Sequence, residues 1–188
     1  MKALWLICLV GCALTSKATP VEIRYFSPAI AHVEPASTHV SGRVRLGRVS
    51  ASSYLRYRIA HRRSPVELEL SDSLRWAEQP EEYVRRSVGD ALFGDRGVEQ
   101  VVGGEALTLS LEVTAFEHVE RAGRHYGCVE LRYTLEDEQR VVASDVLAVE
   151  RQAAGAEITQ IVPAIADALQ AASTQIAERV AVRAAATH

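Results

Sequence analysis

Lysine is almost missing from this chain: Lys2 and Lys17 are the only two, and arginine carries the positive charge beyond them. A phosphate-binding loop of the G-x-x-x-x-G-K-S/T type is therefore excluded, since its lysine has no candidate. G-x-S-x-G, H-E-x-x-H and C-x-x-C are also absent, so no nucleophile elbow, zinc helix or paired-cysteine site is indicated. Three cysteines are too few for a disulfide framework. Six prolines and 11 glycines exclude collagen-like and low-complexity chains. No apolar run reaches the roughly 18–20 residues that span a bilayer as a helix. A net charge of −3 excludes nucleic-acid binding held by bulk charge. What is present is an ordinary core: 48% hydrophobic residues in 188, about one domain's worth.

The first residues, MKALWLICLVGCALTSKATP, have the pattern of an export signal. Lys2 is a minimal basic start, and Ala3 to Val10 is an unbroken apolar stretch within the range of a secretory signal. Leu9-Val10-Gly11-Cys12 resembles the bacterial lipobox, in which the cysteine thiol takes the lipid and small flanking residues admit the peptidase. The expected organisation is a signal peptide at 1–11, a lipidated Cys12 with a tether to 23, and one domain at 24–188. Ala13 after the cysteine, by resemblance to Gram-negative sorting, implies the outer membrane, facing the periplasm. Cys8 leaves with the signal and Cys12 is acylated. Only Cys128 then remains, and it is expected to pack structurally, on the opposite strand face from His125.

Further along, hydrophobic periodicity gives strands, a helix, strands and a helix. Tyr25–Phe26 reads as an edge strand ended by Pro28, and 31–41 as loop. Gly42–Ser50 alternates, with a bulge at Gly47; Arg56–Arg63 and Val66–Leu70 form a hairpin through Arg63-Ser64-Pro65. A helix opens at Pro80, with Glu81 and Glu82 in its first turn, and ends at Phe93–Gly94. Val98–Val102, Leu107–Phe116, Tyr126–Leu135 and Arg140–Val149 read as strands. Thr159–Ala184 is a long Ala-rich helix with Ile161, Ile165, Leu169, Ala172, Ile176 and Val180 on one stripe, and Pro163 is expected in its first turn. The predicted class is α+β: one domain, an antiparallel or mixed sheet, and two main helices on one face.

Candidate chemistry is sparse. His118 and His125 flank a turn and can meet across a hairpin, with Glu117 and Glu120 nearby; the expectation is solvated hairpin histidines and no metal. Glu81 and Glu82 are explained by the helix start. Arg43 to Arg63 holds seven arginines and His61 without an acid. This run is either a solvated strand face or a basic strip for lipid phosphate or an acidic partner, with Tyr54, Arg56, Arg58, Arg62 and Arg63 as its contact surface.

Tyr25-Phe26-Ser27-Pro28, the run Leu46–Leu70, Arg75-Trp76-Ala77-Glu78-Gln79-Pro80, the helix end Ala91-Leu92-Phe93, the strand end Ala115-Phe116-Glu117 and the terminal Ala-rich helix occur in an order that resembles one family. That family is the ABC-type transport auxiliary lipoprotein component, which includes paraquat-inducible protein C. The resemblance spans about 24–185. It implies a non-enzymatic periplasmic lipoprotein with no cofactor beyond the lipid on Cys12. It also implies, as partners, an MCE-domain protein and the permease and ATPase of its transporter, with phospholipid or another hydrophobic compound as cargo. Some members form ring-shaped homo-oligomers. Arg75, Trp76 and Pro80 then form a structural motif, the indole lying under the helix start. A lipoprotein that regulates a peptidoglycan synthase or another envelope machine is the alternative, and a periplasmic enzyme the remote one.

Overall fold

The structure, a computed structural model, describes residues 21–29 and 42–186. The signal peptide, Cys12, most of the tether and the loop expected at 31–41 lie outside the described residues. The elements are β1 (Arg24–Phe26), β2 (Arg43–Ala51), β3 (Arg58–Ser64), β4 (Glu67–Trp76), α1 (Pro80–Gly89), β5 (Glu99–Gln100), β6 (Leu107–Arg121), β7 (Arg124–Glu136), β8 (Val141–Gln152) and α2 (Ile158–Ala185). Both helices contribute to one buried cluster on one face of a mixed sheet, as the periodicity predicts. None of the described helices is long and apolar enough to cross a membrane.

β6 is the spine of the sheet. One edge pairs antiparallel with β7, from Thr108–Glu136 to the Arg121–Arg124 turn. The other edge is shared end to end. β2 runs parallel to the first half of β6, with Val44 beside Leu107 and Ala51 beside Val113. β3 runs parallel to the second half, with Ala60 beside Glu117 and Arg62 beside Val119. Between β2 and β3 the chain leaves the sheet through Ser52–Tyr57, a turn closed by a bond from the Leu55 N–H to the Ser52 carbonyl (2.9 Å). β4 and then β1 extend the sheet beyond β3, β8 lies outside β7, and β5 pairs with the start of β2. The expected bulge in β2 falls between Leu46 and Val49.

A second bulge was not legible in the pattern. Thr114 is an extra residue in β6 between the Val113–Leu131 and Ala115–Glu130 pairs. Before it, Leu107, Leu109, Leu111 and Val113 face the helices. After it the alternation is shifted by one, so Phe116 joins the main core, while Ala115 and Val119 meet Cys128 on the opposite face. β6 therefore continues to Arg121, past the expected end at Phe116.

All six expected stripe residues of α2 are buried. The helix lies unusually close to β7 at Gly127, where a Cβ would stand 2.3 Å from the Ile165 nitrogen and 2.5 Å from the Ala164 carbonyl carbon. Pro163 is not in the first turn, because the helix already begins at Ile158. It removes the bond to the Thr159 carbonyl, and both residues are exposed, so water can take that acceptor. α1 also differs from expectation. Its α-helical part ends at Gly89 and passes into a π-helical turn, Asp90–Asp95, that still buries Ala91 and Leu92.

A Gly127→Ala substitution is expected to cost about 3 kcal/mol, because the obstacle is helix backbone, which cannot turn aside as a side chain can. Gly89→Ala adds its methyl to open space in a helical residue and is expected to stabilise by about 0.5–1 kcal/mol. Urea unfolding of the two variants checks both signs.

Candidate functional site on the two faces of β6

Consecutive strand residues point to opposite faces, so Glu117 and His118 stand at the centres of two separate clusters. Glu117 lies on the face away from the helices and is 2% exposed. The Arg62 guanidinium grips it with two bonds, Nε to Oε1 at 2.5 Å and Nη2 to Oε2 at 3.1 Å. The Tyr54 hydroxyl reaches the same carboxylate at 3.4 Å and donates to the Thr114 carbonyl at 2.8 Å. Thr114 is the bulged residue, opposite the break between β2 and β3. Tyr54 therefore fills a backbone acceptor that neither strand reaches. Burial, then the Glu117 charge, pushes the phenol up to about 12.

The arginine run does not remain one cationic strip. Arg58 pairs with Asp72 and donates to the Ser71 carbonyl (3.0 Å), Arg63 pairs with Glu69 (2.7 Å), and Arg43 lies 3.6 Å from Glu99. The acids come from β4, β5 and β6, which lie beside the run in space but not in sequence. Of the five expected contact residues, the structure brings Tyr54 and Arg62 together on Glu117, gives Arg58 and Arg63 their own carboxylates, and leaves Arg56 exposed. Glu117 itself was legible only as an acid near a histidine. Its role needed the parallel register of β3 on β6.

Arg75, Trp76 and Pro80 hold the crossover from sheet to helix. Trp76 is fully buried, edge-on to Phe116 (5.1 Å) and Tyr83 (6.3 Å), so the indole does lie beneath α1. Tyr83 returns a bond by accepting the Glu78 N–H at 3.0 Å. Arg75 donates to the Ser71 (2.6 Å), Leu74 (3.1 Å) and Asp72 (2.9 Å) carbonyls and so ties down the irregular stretch of β4. Pro80 occupies the first turn of α1.

On the helix face, His118 is buried, and so is not the solvated hairpin histidine expected from its place near a turn. The reason is the length of β6, which carries it under the start of α2. It shares a 2.9 Å hydrogen bond with His125 and stacks on His61, with ring centres 3.9 Å apart. His61 comes from β3, directly beside His118 in the parallel register, and sequence spacing gave no sign of it. Burial, then the His61 and His125 rings, lowers His118 to about 4, and burial with the Arg63 charge lowers His61. A cleft of about 370 Å³ opens beside them, bordered by Arg24, Glu69, Glu157 and Ile161. Among the described residues no group of His, Cys, Asp or Glu is arranged to hold a metal ion. Cys128 is buried on the other face, as expected, and its thiol is pushed up to about 12, chiefly by burial. In the Glu117 cluster the polar groups are directed at one another, whereas on the helix face His118 and His125 pair and the His61 Nε2 makes no hydrogen bond, lying 3.6 Å from a Glu120 carboxylate oxygen beside the cleft.

Two outcomes follow from these clusters. Arg62→Met strands the buried Glu117 carboxylate with Tyr54 alone, and is expected to cost about 3 kcal/mol. A loss below about 1 kcal/mol in urea unfolding, the size of an exposed pair, would contradict the bidentate grip. His118 protonates more easily unfolded, near 6.5, than folded, near 4. Its contribution to stability is thus complete above about pH 6.5 and is lost as pH falls toward 4. The urea midpoint is expected to fall across that window, and His118→Phe to flatten the fall.

The sequence matches the model of the ABC-type transport auxiliary lipoprotein component family over residues 26–177. Among solved structures, a protein from Xanthomonas campestris superposes with TM-score 0.74 at 23% identity, covering 85% of this chain and 95% of that one. A hypothetical protein from Chlamydia trachomatis gives TM-score 0.56 at 9% identity, covering 78% and 99%. A minor lipoprotein from Acinetobacter baumannii gives TM-score 0.51 at 10% identity, covering 77% and 95%. At these identities the structures share the fold alone. No curated protein matches the chain.

Proposed function

The chain belongs to the ABC-type transport auxiliary lipoprotein component family, and from that premise we propose that it is a non-enzymatic outer-membrane member of an MCE-type ABC transport system. In this reading lipid on Cys12 anchors it facing the periplasm. Its partners are the MCE-domain protein, the permease and the ATPase of the same system. Its cargo is phospholipid or another hydrophobic compound passing between the two membranes. The observation that carries the reading is the family match over 26–177 with Leu9-Val10-Gly11-Cys12 directly upstream. Ala13 after the cysteine supports the outer membrane. The Glu117 carboxylate held by Arg62 and the mutual His118–His125 pair support a role without catalysis. A homo-oligomer is the assembly expected of such a docking end. Of the five expected contact residues, Arg56 is the one left for a partner, because Tyr54, Arg58, Arg62 and Arg63 make internal bonds.

The native protein, extracted from membranes and captured, is expected to bring down an MCE-domain protein and phospholipid in excess of a Cys12→Ala control, read by mass spectrometry. Arg56→Glu is expected to lower that capture without changing the urea midpoint. Recovery of a peptidoglycan synthase instead, with no lipid beyond the covalent anchor, would overturn the transport reading.

A further inference from the structure

The strand directions collect three links at one pole of the molecule. β3 and β6 run in parallel, so the β3–β4 turn at Ser64–Val66 lies at the same end as the β6–β7 turn at Ala122–Gly123. The β8–α2 link at Ala153–Glu157 is there too, bonded to the β7 start through Ala153 N–H and the His125 carbonyl at 2.8 Å. The opposite pole holds the residue 101–106 loop, the β7–β8 turn and the end of α2. Each pole carries one almost fully exposed valine: Val66 at the first, 96% exposed, and Val102 at the second, 98%.

The direction of the first described segment favours one pole. β1 is parallel to β4, with Arg24 beside Leu74 and Phe26 beside Trp76. The chain before Arg24 is thus directed along β4 toward its start, which is the Val66 turn. Arg24 is level with the beginning of β3, because Arg75, next to Leu74, pairs with Arg58. From there to the turn is the length of β3, about 20 Å. Twelve residue steps separate Arg24 from Cys12, a reach of up to about 43 Å. A chain continuing in the direction of β1 can pass the Val66 turn and reach up to about 20 Å beyond it. To set the Val102 pole against the same membrane, it would have to reverse and run back past the whole first half of β6.

We infer that the pole formed by the β3–β4 and β6–β7 turns rests on the bilayer that holds the Cys12 lipid, with Val66 seated at the headgroup boundary. This rests on the anchoring reading above. The side-chain chemistry fits a lipid surface. Pro65 and Val66 form an apolar tip, and Arg63 next to it, with Arg124 at the β6–β7 turn of the same pole, can lay their stems on the interface while their guanidinium groups meet phosphate. Arg63 and Arg121 also keep carboxylate partners, Glu69 and Glu150, at 2.7 Å each. The pole is therefore not a polybasic patch, and the contact does not depend on a large excess of anionic lipid. A weak contact suffices, since the covalent anchor supplies a high effective concentration.

The test uses the mature lipidated protein in vesicles of phosphatidylethanolamine and phosphatidylglycerol, doped with nitroxide-bearing phosphatidylcholine. Val66→Cys and Val102→Cys are labelled in turn with an environment-sensitive fluorophore. Cys12 is blocked by acylation and Cys128 is buried, so each label is selective. The label at 66 is expected to be quenched by the nitroxide lipid, and the label at 102 to stay in water. Equal exposure of both labels in protein that floats with the vesicles overturns this inference and leaves the anchoring reading intact. Protein that does not float with the vesicles overturns both. Shielding at 66 that appears only when membrane proteins are added assigns the turn to a protein partner and also overturns the inference.

Discussion

A strand buried in mid-sheet must satisfy its backbone on both edges, and β6 is too long for any single neighbour. β7 covers one edge along its length, but the other is divided between β2 and β3, laid end to end in parallel. The join leaves the Thr114 carbonyl without a strand partner, and the Tyr54 hydroxyl supplies the missing donor. The same position carries the bulge that exchanges the two faces. Most of what distinguishes the molecule depends on this join. It sends Phe116 into the core under Trp76, turns Glu117 to the open face within reach of Arg62, and turns His118 toward α2.

The electrostatics follow from that arrangement. With lysine nearly absent, the chain relies on guanidinium groups, whose planar forks suit paired carboxylates. Arg43, Arg58, Arg62 and Arg63 each meet a carboxylate on a neighbouring strand, so much of a feature basic in sequence becomes cross-strand pairs. Most of these are exposed and worth little individually. Arg62 differs, because its partner is out of reach of water. The helix face uses a different solution. Burial disfavours the charged forms of His118 and His61, and His118 shares one hydrogen bond with His125 and stacks on His61.

A surface with its charges matched in this way has little long-range pull on a partner. Among the groups left exposed are Arg48, Arg56 beside the sheet break, and the valines at the two poles. A lipid-held protein needs no strong field, since its anchor already places it.

Local chemistry alone determined much of this protein. Alternation marked all the longer strands, and the 3- and 4-residue spacing marked both helices and their buried faces. Those features depend only on neighbours along the chain. The extra residue at Thr114 was invisible, because a bulge shows only against the partner strand. The burial of His118, its stacking on His61, the acids that neutralise the arginine run and the depth of Pro163 in α2 were equally closed to sequence reading. Each depends on which distant strand lies alongside and in what register. That is settled by how β6 divides its edge, a choice made only when the whole sheet is assembled.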